Sequence, residues 1–102
     1  MATFETATGK SIQEAFERFH SDNPQVYELF KKYVREIVKT KGRSVKTSSK
    51  MIINRIRWEV YLTTNTEDFR INDAFTSRYA RKFSEEYPDF AHLFNYRDLR
   101  SN

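Results

Sequence analysis

The chain has 102 residues, the usual size of one domain, and no Pro-, Gly- or Ser-rich stretch divides it, so one hydrophobic core is expected. With no cysteine it can build neither a disulfide framework nor a thiolate metal site. Its longest apolar runs are only two or three residues, which leaves no membrane-spanning helix and no signal-peptide hydrophobic region and makes the cytoplasm the expected location. The net charge of +4 is unevenly spread: residues 31–57 carry ten bases against the single acid Glu36, a local +9, while the remainder is at −5.

Aromatics make up 16% of the chain, nine Phe and six Tyr, so large rings must supply much of the buried area. Residues 1–10 lack periodicity and read as a loose tail ahead of a single domain over 11–100. Ser11 and Glu14 have the spacing of a capping box, and Ile12, Phe16 and Phe19 continue as one apolar stripe to about His20. Asn23-Pro24 is a break and a fresh start. The second helix runs to about Lys41, with Val26, Leu29, Phe30, Tyr33, Val34, Ile37 and Val38 covering half its circumference, as expected of a central helix. Gly42 is suited to end it.

Residues 43–48 form a basic loop, and Ser48 or Ser49 can cap a third helix reaching Val60 or Leu62. That helix has two apolar stripes, one of Ile52, Ile53, Ile56 and Val60 and another of Met51, Trp58 and Leu62. Between them on one side lie Lys50, Asn54, Arg57 and Tyr61, and on the other Arg55 and Glu59 are spaced to pair. Residues 63–68 read as a polar turn before the strand-like Phe69-Arg70-Ile71, which suggests a small β-hairpin near 61–71. Asn72 or Asp73 then caps a fourth helix with Phe75, Tyr79, Phe83 and Tyr87 every four residues, and Arg78, Arg81 and Lys82 on its opposite face. Pro88 stops it and starts a short final helix, with Phe90, Leu93 and Phe94 facing inward and Tyr96 and Leu99 sealing the end. The expected fold is therefore mainly α, four to five short helices around one aromatic-rich core, with a helix-turn-helix-like or winged-helix-like arrangement.

No catalytic chemistry stands out, and the chain is read as a non-enzyme without cofactor. His20 and His92 are far apart and lack carboxylates at metal-ligand spacing, so no metal site is expected. Two glycines cannot build a phosphate-cradling loop, no nucleophile elbow is present, and the pairs Glu67-Asp68 and Glu85-Glu86 diverge as adjacent residues do. The basic stretch is the one feature above background. Lys39, Lys41, Arg43, Lys46, Lys50, Asn54 and Arg57 are candidates for contacting nucleic acid, with Arg78, Arg81 and Lys82 as an auxiliary phosphate patch. They bring the side-chain types that clamp phosphates and read bases, provided they converge. The alternative is a solvated loop and two helix faces, with Arg57 and Tyr61 covering the flank of a buried helix and pairing with acids of the first.

The words Ile12-Gln13-Glu14-Ala15-Phe16 with Asn23-Pro24, then Ile56-Arg57-Trp58-Glu59, Phe69-Arg70-Ile71-Asn72, Tyr79-Ala80-Arg81 and Phe94 with Arg97 resemble a family of small uncharacterised proteins encoded by bacteriophages and prophages. The resemblance brings no activity with it. It implies a setting, the cytoplasm of an infected or lysogenic bacterium, where small accessory proteins bind nucleic acid or disable a host protein. Two functions are thus expected: a nucleic-acid-binding module, for duplex DNA and compatible with a homodimer, or a protein-interaction module that binds a host defence or regulatory protein through aromatics such as Trp58, Tyr61 or Tyr96.

Overall fold

Helical periodicity in the sequence becomes four α-helices in the computed structural model, which describes residues 9–64 and 70–94: α1 (Gly9–Asp22), α2 (Pro24–Lys41), α3 (Ser49–Thr63) and α4 (Thr76–Glu86). Two 3-10 segments, Asp73–Phe75 and Pro88–Leu93, lead into and follow α4. The chain is mainly helical, as its apolar spacing requires.

The helix ends follow from local chemistry. Asn23 closes α1 by donating from both its backbone N–H and its side-chain amide to the Phe19 carbonyl, at 2.9 and 3.1 Å, and Pro24 opens α2. Gly42 ends α2 at φ +93 and ψ 167, a conformation that only glycine takes without strain, while its N–H donates to the Val38 carbonyl at 2.8 Å. Ser48 caps α3 by accepting from the Met51 N–H, and Asn72 accepts from the Ala74 N–H at 2.9 Å to start the 3-10 turn before α4.

The core collects one face of every element. Phe16 comes from α1; Val26, Tyr27, Phe30, Tyr33 and Val34 from α2; Ile52, Ile53 and Ile56 from α3; Phe75, Tyr79 and Phe83 from the α4 region; Leu93 and Phe94 close it. Tyr79 is fully buried at the centre of the rings, edge-on to Phe16 at 4.7 Å and stacked with Phe30 at 5.9 Å and Tyr27 at 6.2 Å. These separations lie in the favourable range for offset and edge-to-face pairs. Burial pushes the Tyr79 hydroxyl well above the usual phenol range, so it stays neutral.

Three local expectations change. α1 begins at Gly9 rather than Ser11, shortening the expected tail, whose residues 1–8 lie outside the described residues. α3 continues through Thr63, where Thr63 and Thr64 hydroxyls donate back to the Glu59 and Val60 carbonyls at 2.9 Å, so the first arm of the expected hairpin is helix. Arg70 and Ile71 form no strand, and residues 65–69 lie outside the described residues, as do Tyr96 and Leu99. The one β-bridge among the described residues joins Thr47 to Phe94 instead.

Candidate nucleic-acid interface

The seven-residue connection from Gly42 to Ser48 carries the basic loop, and the 3-10 segment after α4 holds it in place. The Thr47 N–H donates to the Leu93 carbonyl at 2.7 Å, the Lys46 ammonium donates to the His92 carbonyl at 2.7 Å, and the His92 ring nitrogen bonds the Arg43 carbonyl. The Arg43 guanidinium lies 4.9 Å from the centre of the Phe90 ring, a cation–π contact. The local order of this loop thus depends on residues nearly fifty positions away.

At this end of the molecule Lys39, Lys41, Arg43, Lys46 and Lys50 are all exposed. Lys39 and Lys41 occupy the last turn of α2, where unpaired carbonyls favour cations. None of the five is ion-paired among the described residues. Lys41 and Lys46 also line a groove of about 430 Å³ together with Arg55 and Glu36, over an apolar floor that includes Ile37 and Ile52.

The other candidates are engaged elsewhere. Arg57 donates to the Asn54 side chain at 2.9 Å, the Ile71 carbonyl at 2.6 Å and the Asp73 carboxylate at 2.7 Å, so it ties α3 to the segment before α4. The hydrogen bond from Arg57, and then its charge, hold the Asp73 carboxyl below the usual range. The expected pairing of Arg57 with acids of α1 is therefore replaced by Asp73. Arg81 faces Glu85 at 3.8 Å and Lys82 faces Glu86 at 3.1 Å, both one helical turn on. Burial pushes the Glu86 carboxyl up, but hydrogen bonds from Tyr27 and Lys82 outweigh it and hold the group below its ordinary value.

Arg78 does not belong to a surface patch at all. It is 4% exposed and its Nη1 donates to the Gln13 side chain at 2.7 Å. Within α4 alone Arg78 reads as solvent-facing, because the Gln13 side chain of α1 that it meets lies 65 residues away in sequence.

The chain matches no family model, no curated protein and no solved structure. The side chains themselves must carry the functional reading. Among the described residues no helix is long and apolar enough to cross a membrane.

The second apolar stripe of α3 faces outward. Met51, Trp58, Tyr61 and Leu62 are 55%, 56%, 73% and 60% exposed, and the Trp58 and Tyr61 rings lie 5.9 Å apart. Periodicity identified both stripes of this helix, but it carries no information on which one the rest of the chain covers.

Proposed function

We propose that this protein is a non-catalytic accessory protein that binds nucleic acid, duplex DNA in the first instance, by gripping backbone phosphates with the cations between Lys39 and Lys50. One observation carries the reading: Lys39, Lys41, Arg43, Lys46 and Lys50 fall in twelve consecutive residues, all exposed, with no ion-pairing carboxylate among the described residues. Elsewhere on the chain the candidate cations are neutralised by acids or buried. A cluster with so few acids close to it, Glu36 in the groove and Asp73 within the field of Lys50, attracts polyanions and exchanges their counterions.

The binding is phosphate-led. Asn54 accepts from Arg57, and Arg57 has two further acceptors, so turning this guanidinium to a base edge would require breaking several hydrogen bonds worth about 1.5–3 kcal/mol each when charged. Little discrimination between DNA sequences is expected. The likeness to phage and prophage proteins supports a bacterial cytoplasm as the setting.

Fluorescence anisotropy with a labelled duplex in about 50 mM salt tests the reading. Binding is expected, and replacing all five cations by Ala should abolish it, whereas replacing Arg81 and Lys82 by Ala should leave it nearly intact. No binding by the unsubstituted protein removes the proposal. The exposed Trp58 and Tyr61 support a second reading, a module that binds a host protein, which nuclease-treated pull-down from bacterial lysate with a Trp58→Ala control would test.

A further inference from the structure

α3 is apolar on two sides. Ile52, Ile53 and Ile56 are buried in the core, while Met51, Arg55, Trp58 and Leu62 follow one another at spacings of four, three and four along the solvent side. That alternation is the seam of a helix that packs against another helix. It extends over three turns, and Asn54 and Tyr61 flank it, both exposed.

We propose that a second copy of this chain covers the stripe, α3 against α3 in antiparallel orientation, about a two-fold axis passing between Ile56 and Arg57. Met51 and Leu62 lie equally far from that point, and so do Arg55 and Trp58. The two-fold therefore sets Met51 of one copy on Leu62 of the other, and the Arg55 guanidinium on the Trp58 indole. It also brings Asn54 of one copy near Tyr61 of the other, an amide beside a phenol. An isologous contact needs this self-complementarity.

The charges select the orientation. A parallel pair in register would press Arg55 against Arg55 at the centre, a like-charge contact, whereas the antiparallel pair gives each guanidinium an aromatic face and leaves it near a Glu59 carboxylate. Arg55 already lies 4.8 Å from the Tyr33 ring and 3.3 Å from Glu59, with its side chain half exposed, so it is oriented before pairing. Met51, Trp58 and Leu62 with the flanking Tyr61 expose about 500 Å² per copy, so a pair that covers all four buries about 1,000 Å², at the lower edge of specific interfaces. The dimer is thus concentration-dependent rather than obligate.

Sedimentation velocity without nucleic acid tests this separately from DNA binding. The mass should rise from that of the 12.3 kDa monomer toward twice that value between about 5 and 500 μM, where mass action fills a weak interface. Trp58→Glu should stay monomeric with unchanged helical circular dichroism. Because the chain has no cysteine, crosslinking fixes the register. An oxidised mixture of Met51→Cys and Leu62→Cys chains should form a mixed disulfide. Neither variant alone should, since symmetry-related copies of position 51 lie about 16 Å apart along the axis, beyond the reach of a disulfide. A monomer at every concentration, or Met51→Cys crosslinking to itself as readily as in the mixture, overturns the proposal.

Discussion

The Nη1 of Arg78 donates to Oε1 of Gln13 over 2.7 Å, joining α4 to α1 across 65 residues of chain. Burial, and then the nearby charge of Arg81, pull this guanidinium below its ordinary pKa, yet it remains a cation with its stem packed in the core. Arg78→Ala should lower stability by about 1–3 kcal/mol, the cost of a charged hydrogen bond and the acceptor left behind. Urea denaturation measures it. Affinity for duplex DNA should not change once the fold is intact, and a selective loss of binding would return Arg78 to the interface.

Arg57 plays a comparable part at the other side of the fold, with acceptors on α3, at Ile71 and at Asp73. A lysine offers one compact ammonium in place of this fork and cannot reach all three acceptors. Arg57→Lys should therefore destabilise by about 1–2 kcal/mol, and Arg57→Ala by somewhat more. If Arg57→Lys unfolds at the same urea midpoint as the parent, the tie between α3 and the segment before α4 is not structural.

The buried hydroxyl of Tyr79 has no hydrogen-bond partner among the described residues, although the ring is fully buried. Desolvating such a group costs stability, and removing it relieves that cost. Tyr79→Phe should leave stability unchanged or raise it by up to about 1 kcal/mol, whereas Tyr79→Ala should lose about 3–5 kcal/mol through the cavity it opens. A clear destabilisation by Tyr79→Phe would reveal a partner for the hydroxyl.

His20 packs between aromatic rings, 5.4 Å from Tyr27 and 6.1 Å from Phe16. Burial lowers its pKa first, and the charges of Lys82 and Lys31 lower it further against Glu86 and Glu28. The fold thus prefers the neutral ring, and the unfolded chain takes up a proton earlier as pH falls. Stability is complete above the ordinary imidazole value of about 6.5 and is lost as pH drops below it. The depressed carboxyls of Asp73 and Glu86 act in the same direction, but only below the usual carboxylate range. Urea midpoints should fall between pH 7.5 and pH 5.5, and His20→Gln should remove that slope; a slope retained in the variant contradicts the assignment.

Much of the fold was legible in local pattern, because Val26, Phe30, Tyr33 and Val34 recur at helical spacing and Asn23-Pro24 and Gly42 mark its ends in the residues themselves. The cap at Ser48 and the pairing of Arg55 with Glu59 were legible for the same reason. What failed depends on contacts distant in sequence. Arg78 reads as a surface cation until α1 crosses it, and nothing within α3 tells the Ile52 stripe from the Trp58 stripe. The loop after Gly42 reads only as a basic, solvated segment until the Leu93 carbonyl accepts from Thr47.

The salt dependence of duplex binding bears most directly on the proposed phosphate-led interface. Five contacts from Lys39, Lys41, Arg43, Lys46 and Lys50 require log affinity to fall against log salt with a slope near −4.5, a loss of about 500-fold between 50 and 200 mM. Each single Ala substitution in the cluster should reduce the slope by about 0.9. A shallow slope, near −1 or weaker, or one unaffected by Lys41→Ala and Lys46→Ala, would contradict the interface.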